Sequence, residues 1–411
     1  LEGTASRIAE KLVGDKILFK KIIGKNEVYS VLIGEVADGQ IDKYKKKYET
    51  KTTTSLITEG CLDEAIELPA ALKLRYKLIY ASITDFEQNA KKWINEAQQD
   101  QKHLYAVVTF AKDTSERMLL HQKITTKLSD NLDTSVVFID CSKTVLGEEK
   151  FDEWVEYKAK ADFHSGKDKD QSTQNTNYAN DVLKIWRNNI KGGEFVYYSK
   201  ERLNGETLAT EEALIDELRS YNRKIYSHGL ECYNVIANMW ALNAARQGAE
   251  CGLKEEIAGT FRSSNQNTKL EVALAGAWGI SNYWISSPAL NISIIKAKVE
   301  DLMKTRLKKD GRISIKTIFD TLSIAPYGFM PCNLSAFILG FLLKEYSGGK
   351  YTWSDGTISD ELTLDKMKEM IHEILQQEKT PNSRYRDKYI VTMPQEVKAF
   401  IDVTSKAFSI P

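Results

Sequence analysis

The apolar run that follows Pro326-Tyr327-Gly328 constrains the fold more than any other stretch of this sequence. A short helix is predicted at Lys316–Leu322 and ends before this turn, because proline lacks an amide proton and glycine permits φ > 0. A second helix is predicted at Asn333–Tyr346, where two glycines stop it. Two short β segments then flank the turn Ser354-Asp355-Gly356. Helix, tight turn, helix and hairpin is the order of a winged-helix module.

The predicted second helix carries apolar side chains nearly all the way round, which indicates that it is buried. They are Leu334, Phe337, Ile338, Leu339, Phe341, Leu342 and Leu343. A helix that reads DNA presents polar side chains such as Arg, Asn or Gln to the base edges. Burying these side chains contributes on the order of 10 kcal/mol by area, which phosphate contacts would not offset. We therefore expect a packing or relay domain rather than a sequence reader.

The first residues of the chain predict the back half of another winged helix. Thr4–Val13 places apolar side chains on one helix face. Two strand-like segments follow on either side of Gly24-Lys25-Asn26, as in a hairpin. The front half of such a module would precede Leu1. Because the chain also opens without an initiator Met, we expect it to be a piece of a larger protein.

Between residues 72 and 150 the pattern changes to alternating strands and helices. The segments HLYAVVTFA and TSVVFIDCS are continuous apolar strands of the kind found in parallel sheets covered on both faces. Asp113 and Asp140 lie at or just beyond the ends of these strands, where the sites of α/β proteins usually lie. A carboxylate there is more often a helix cap or a turn former. Neither G-x-x-x-x-G-K-[ST] nor G-x-G-x-x-G occurs in the sequence.

Composition narrows the possible functions. The 57 basic and 57 acidic residues cancel, so no overall field draws the chain to nucleic acid or to an anionic membrane. The longest apolar run, Leu334–Leu343, is far shorter than the ~20 residues that a membrane span needs. The five cysteines have no C-x-x-C spacing, which is typical of core thiols in a reducing compartment. We expect a cytoplasmic protein with no membrane contact, no metal and no cofactor.

Local basic clusters remain candidates for phosphate contact. Lys43–Lys51 combines lysines with two tyrosines, which is typical either of nucleic-acid binding or of the solvated face of a short helix. Other basic residues cluster on the N-terminal helix and hairpin, where a solvated basic face is again the alternative. The candidate nucleic-acid-binding residues are Arg7, Lys11, Lys20, Lys21, Lys25, Lys43, Lys45, Lys46 and Lys47.

Residues 151–310 are predicted to be mostly helical. The polar stretch after Phe163 is expected to be a flexible loop or a charged helix extension, and its His164, Asp168 and Asp170 are weak evidence for a metal. The predicted fold class is mixed α+β and multi-domain, with winged-helix elements at both ends around a small α/β domain and a helical region. The predicted boundaries are 1–71, 72–150, 151–310 and 311–411.

Three stretches carry a resemblance to a known family. They are ALKLRYKLIYASIT, VLGEEKFDEWVEYKAKAD with the later WRNNI, and SIAPYGFMPCNLSAFILGFLLKEY with its hairpin. In these stretches the chain resembles the region downstream of the nucleotide-binding core in large bacterial P-loop ATPases of phage-defence systems, the BREX ATPases being the nearest group. The resemblance implies an ATP-driven or ATP-gated machine with DNA or partner proteins as targets. No catalytic residue of that family has a matching position here.

Three hypotheses follow. The first is a non-catalytic, multi-domain segment of such an ATPase that contacts other domains, partner proteins or DNA. The second is a stand-alone DNA-binding winged-helix protein that works through the N-terminal hairpin and Lys43–Lys51. The third is an enzyme that uses Asp113 or Asp140 as an acid or a metal ligand.

Overall fold

The chain forms two compact units, each with its own core. The structure, a computed structural model, describes residues 2–15, 18–23, 26–31, 38–60, 62–131, 135–229, 237–254 and 292–393, with 399–400, 403–404 and 407–408. The first unit comprises 1–67, 77–99 and 105–216, and the second comprises 68–76, 100–104 and 217–411. The predicted segment 151–310 is divided between the two units after residue 216.

The first unit begins with a helix and a hairpin and continues into a layered α/β arrangement. Its elements are α1 (Glu2–Gly14), β1 (Leu18–Ile23), β2 (Asn26–Val31), α2 (Asp38–Glu49), α3 (Thr53–Glu59), β3 (Tyr76–Ala81), α5 (Ile83–Gln99), β4 (Leu104–Thr109), α6 (Thr114–Asn131), β5 (Val136–Asp140), α7 (Glu148–His164), α8 (Lys169–Lys191), β6 (Phe195–Ser199), β7 (Arg202–Leu208) and the start of α9 (Glu211–Ile225). The short α4 (Ala70–Arg75), which precedes β3 in the chain, belongs to the second unit.

A five-stranded sheet in the order β3-β4-β5-β6-β7 is the centre of this unit. Strands β4 and β5 are parallel, with Thr109 opposite Asp140. Strands β6 and β7 are added antiparallel to β5. Every residue of β4 and β5 is buried, as predicted from their continuous apolar runs. Phe86 of α5 packs against Phe138 of β5 in the core, so the expected helix-covered sheet is confirmed.

Two elements of this region differ from the sequence patterns, and a third takes one of two predicted alternatives. The sequence KLRYKLIYASIT, which begins at Lys73, is strand-like throughout, but the segment is helical up to Arg75 and becomes a strand only at Tyr76. Strand β7 has a polar, largely exposed sequence and was not expected. The polar stretch after Phe163 takes the helical alternative, because Asp168 caps α8 by accepting from the amides of Asp170 and Gln171.

The second unit is mainly helical and carries a small sheet. Its further elements are α10 (Ala245–Lys254), α11 (Ile292–Asp310), β8 (Arg312–Ser314), α12 (Ile315–Ser323), α13 (Asn333–Leu343), β9 (Tyr351–Ser354), β10 (Ser359–Glu361), α14 (Leu364–Lys379) and β11 (Tyr389–Thr392). The predicted final helix, Gln395–Phe408, lies largely outside the described residues, as does the Ala- and Gly-rich segment after Lys254.

Helix α13 is the centre of the second unit, and all of its 11 residues are buried. It crosses α10 at glycines on both helices. A Cβ added at Gly252 would overlap the carbonyl oxygen of Phe337, and one added at Gly340 would overlap the carbonyl oxygen of Ala249. The two backbones therefore touch, which only glycine allows. The predicted burial of the apolar run is confirmed.

The turn between α12 and α13 is held by a buried arginine. Arg75 is 1% exposed, and its guanidinium donates to the carbonyl oxygens of Lys102 (2.6 Å) and Gly328. The guanidinium also lies 3.7 Å from the centre of the Tyr226 ring. Gly328 has φ +59°, and a Cβ there would collide with Arg75 and Tyr226. The glycine of the Pro-Tyr-Gly sequence is thus required both by its backbone angle and by its neighbours.

The structure does not confirm a winged helix at either end of the chain. At the N-terminus, α1 leads into the antiparallel β1–β2 hairpin, so the predicted elements are present. In the second unit the predicted order of helix, turn, helix and hairpin is also present. However, its sheet has the order β10-β9-β11-β8, so β11 lies between the hairpin and β8.

Candidate functional site

A cavity of about 520 Å³ opens at the carboxyl end of β5, where the sequence predicted any α/β site to lie. Helix α6 forms one wall, and strands β6 and β7 form another. The polar side chains that define its chemistry are Arg117, His121, Asp140, Ser142, Lys143 and Tyr198.

Asp140 is the most enclosed of these side chains, at 3% exposure. Its Oδ1 accepts from the amide of Ser142 at 2.8 Å and from the Thr109 hydroxyl at 3.5 Å. Burial raises the pKa of Asp140, and the bonds from Ser142 oppose that rise, as do the positive charges of His121 and Arg117. In the described part of the chain, no basic side chain lies within ion-pair distance of Asp140. The cavity therefore contains a carboxyl group that folding places in an unfavourable environment for its charge.

Tyr198 and His121 form the second polar pair of the cavity. The Tyr198 hydroxyl lies 3.1 Å from Nδ1 of His121. Burial raises the pKa of Tyr198 to about 12, with a further contribution from the charge of Asp140. The phenol is thus protonated at neutral pH, and it can donate or accept a hydrogen bond but does not act as a phenolate.

The neighbouring thiol is not an activated nucleophile. Burial raises the pKa of Cys141 well above its ordinary value, and the charge of Asp140 adds to this effect. Nucleophilic catalysis by cysteine requires the opposite shift. The arrangement can hold a small polar molecule by hydrogen bonds, and within it the Ser142 side chain bonds to Asp140.

Asp113, the other carboxylate named from the sequence, acts as a helix cap. Its Oδ1 accepts from the amide of Glu116 at 2.9 Å, in the first turn of α6. It does not line the cavity. Asp113 and Asp140 both accept from backbone amides, as expected of a helix cap and a turn former. Within the described residues, no group of three or more His, Cys, Asp and Glu side chains is placed to bind a metal.

The candidate nucleic-acid residues of the N-terminal region are partly neutralised. Lys20 lies 2.6 Å from Glu10 and 2.8 Å from Glu27. Arg7 and Lys11 are exposed on α1. Lys21 lies in β1, and Lys25 lies outside the described residues.

The lysines of α2 lie on the outer face of a helix that packs against α7. Lys47 pairs with Asp162 at 2.7 Å, and Lys45 lies 3.9 Å from Asp42. Lys43 and Lys46 are exposed, and neither has an ion-pair partner among the described residues. Tyr48 is 5% exposed and packs edge-on against Trp154, so it cannot stack on a base. These contacts favour the solvated-face alternative, while nucleic-acid binding here stays a prediction.

Comparisons with protein-family models, with curated proteins and with solved structures give no match. No helix in the described part of the chain combines the length and apolar character that crossing a bilayer requires.

Proposed function

We propose that this chain is a non-catalytic segment of a bacterial, phage-defence-type P-loop ATPase, in which it acts as a scaffold or coupler toward other domains, partner proteins or DNA. The observation that carries the proposal is the complete burial of α13. In a helix-turn-helix reader this helix would present polar side chains to the major groove. In this chain the polar residues of α13 are buried with the rest of the helix.

Asn333 illustrates this internal use. Its Oδ1 accepts from the amide of Ala244 at 2.9 Å, and its Nδ2 donates to the Oδ1 of Asn243 at 3.1 Å. Its own amide donates to the carbonyl of Ala241 at 2.6 Å. Asparagine is the residue type that would read adenine. In this unit it fixes the segment before α10 against the start of α13.

The site at β5 supports the non-catalytic part of the proposal. The carboxyl group of Asp140 accepts from a backbone amide, and the neighbouring Cys141 thiol is buried and protonated. The enzyme alternative is favoured by one observation, the position of Asp140 in the cavity wall. It predicts that Asp140→Asn abolishes any turnover found for the chain.

The stand-alone DNA-binding alternative is favoured by the order of helix, turn, helix and hairpin in the second unit. A winged helix in which β11 enters the sheet is our interpretation of this unit. Such a protein would have to contact DNA through surfaces other than α13, and therefore through phosphates rather than base edges.

Two measurements test the proposal. Calorimetric titration of Mg-ATP into the chain should give no binding, and an affinity in the micromolar range would contradict it. Selection from a random DNA library should yield no consensus sequence. A reproducible consensus would require a reading element and would refute the assignment of α13 as an internal helix.

A further inference from the structure

An open groove of about 820 Å³ lies in the second unit, between the C-terminal half of α14 and the segment that leads to β11. Arg384, Arg386 and Lys388 line it from this segment, and Arg246 lines it from α10. The carboxylate lining it is that of Glu373. The groove is therefore strongly basic although the whole chain carries formal net charge 0.

The positive charges of the segment are available to a ligand. Arg384 and Arg386 are exposed, and in the described part of the chain neither is within ion-pair distance of a carboxylate. The Lys388 ammonium lies 5.3 Å from the centre of the Trp353 ring. Arg246 differs, because its Nε bonds both oxygens of Glu369 at 2.8 and 2.9 Å. Lys316, the one basic residue of α12, also pairs with a carboxylate, that of Asp320.

Two buried polar atoms of the same groove have no hydrogen-bond partner within the described chain. They are the hydroxyl of Tyr385 and Nδ1 of His372. Burial raises the pKa of Tyr385, and the negative charges of Asp387, Glu373, Glu378 and Asp320 add to the rise, so the hydroxyl is protonated and can donate. A buried donor without an acceptor costs free energy, so this hydroxyl is available to an oxygen atom of a ligand that Arg384 and Arg386 hold at the groove.

We propose that this groove binds the phosphate backbone of a nucleic acid without reading its sequence. Arginine is suited to phosphate because its planar fork donates two parallel hydrogen bonds. Gln376, Gln377, Asn382 and Ser383 also line the groove and supply the neutral donors that commonly contact phosphate and sugar oxygens. A free nucleotide fits less well, because the groove is open and lacks a glycine-rich loop to surround a terminal phosphate. The inference does not depend on the parent ATPase and assigns a surface other than the predicted lysines.

The test measures fluorescence anisotropy of a labelled DNA duplex with the full chain across a salt series. The Arg384→Glu/Arg386→Glu variant should lose tenfold or more in affinity, and its log–log salt slope should fall by about two, one for each lost phosphate contact. Lys304→Glu/Lys308→Glu is the matched control, since it makes the same charge change at two exposed lysines of α11 that do not line the groove. It should bind as the unchanged chain does.

Four outcomes would overturn the proposal. They are no binding of DNA by the unchanged chain, an unaltered salt slope in the arginine variant, an equal loss in the lysine control, and displacement of DNA by inorganic phosphate at equal concentration. The last would identify a small-anion site instead. Arg384→Gln/Arg386→Gln, checked by circular dichroism, separates loss of contact from misfolding and should also weaken binding. The absence of a DNA consensus does not affect this test, so the two proposals fail independently.

Discussion

Because α10 and α13 are in backbone contact, we expect a Gly→Ala substitution in α13 to destabilise the protein, the opposite of its usual effect in a helix. In an exposed helix, Gly→Ala stabilises by about 1 kcal/mol, because alanine has the higher helix propensity. At Gly340 the added methyl group would overlap the carbonyl oxygen of Ala249. That atom belongs to a helix backbone and cannot rotate away as a side chain would. Relief requires the two helices to move apart.

The expected loss of stability depends on the packing contacts that are lost when the two helices move apart. Overpacking a core costs roughly 1–3 kcal/mol by itself. A gap of about 0.5–1 Å forfeits a quarter to a half of the dispersion energy of the facing atoms. Phe337 and Phe341, whose backbones border Gly252, are large buried side chains at this crossing. After subtraction of the helix-propensity gain of about 1 kcal/mol from the upper end of this range, we expect Gly340→Ala to destabilise the second unit by about 2 kcal/mol.

Urea unfolding resolved by hydrogen–deuterium exchange of peptides from the second unit measures this loss without assuming a single transition for both units. Gly349→Ala is the matched control, because Gly349 is exposed and a Cβ there meets nothing within 4 Å. Its effect should stay within about 0.5 kcal/mol. If Gly340→Ala were neutral or stabilising, the close crossing of the two helices would be refuted.

Three further predictions follow from other residues. Arg75→Lys should destabilise the second unit by about 2–3 kcal/mol, because an ammonium group cannot both bond two carbonyl oxygens and stack on the Tyr226 ring. Urea unfolding measures this loss, with Leu74→Met as the control. Equal losses in the two variants would contradict the prediction. For Asp140 the pKa in the folded state is raised, so its contribution to stability is favourable at acid pH and is lost as pH rises above the unfolded pKa. Asp140→Asn should therefore leave stability unchanged or higher at pH 7, with the gain vanishing at acid pH, whereas destabilisation at pH 7 alone would show that the carboxylate is required. Reversal of the charges of Lys20, Lys21 and Lys25 should leave DNA affinity unchanged, since Lys20 is already paired with Glu10 and Glu27. DNA affinity is measured in a salt series. A large loss of affinity would indicate that the N-terminal hairpin is the DNA-binding surface.

Elements whose apolar pattern is dense could be predicted from the sequence. The runs that became β4, β5 and α13 have no polar face, so burial on all sides was the only favourable outcome. Asp113 could also be interpreted correctly as a cap, because a carboxylate before a helix has a local partner in the amide three residues on.

Elements that depend on distant partners could not be predicted. Strand β7 is polar and has an exposed pattern, and it forms because β6 offers a free edge. The position of β11 depends on two distant pairings, with Tyr389 opposite Ser314 of β8 and opposite Ser354 of β9. Arg75 carries no local signal of burial, since its partners are carbonyl groups at Lys102 and Gly328.

The basic groove was missed for the same reason. Its arginines fall in RYRDKYIVTM, where the apolar residues of β11 dominate the pattern. Only the return of this segment along α14 places Arg384 and Arg386 beside the buried Tyr385 hydroxyl and His372. A run of lysines such as Lys43–Lys47 is conspicuous in a sequence. In the folded chain, however, Lys45 and Lys47 lie beside the carboxylates of Asp42 and Asp162.

The most direct test of the central claim is hydrogen–deuterium exchange of the backbone amides in residues 334–343, measured with and without DNA. If α13 is an internal helix, these amides should be among the slowest to exchange in the second unit, and DNA should leave their rates unchanged. Rapid exchange in the absence of DNA, or protection that arises only when DNA is added, would show that this helix is exposed and available to a ligand.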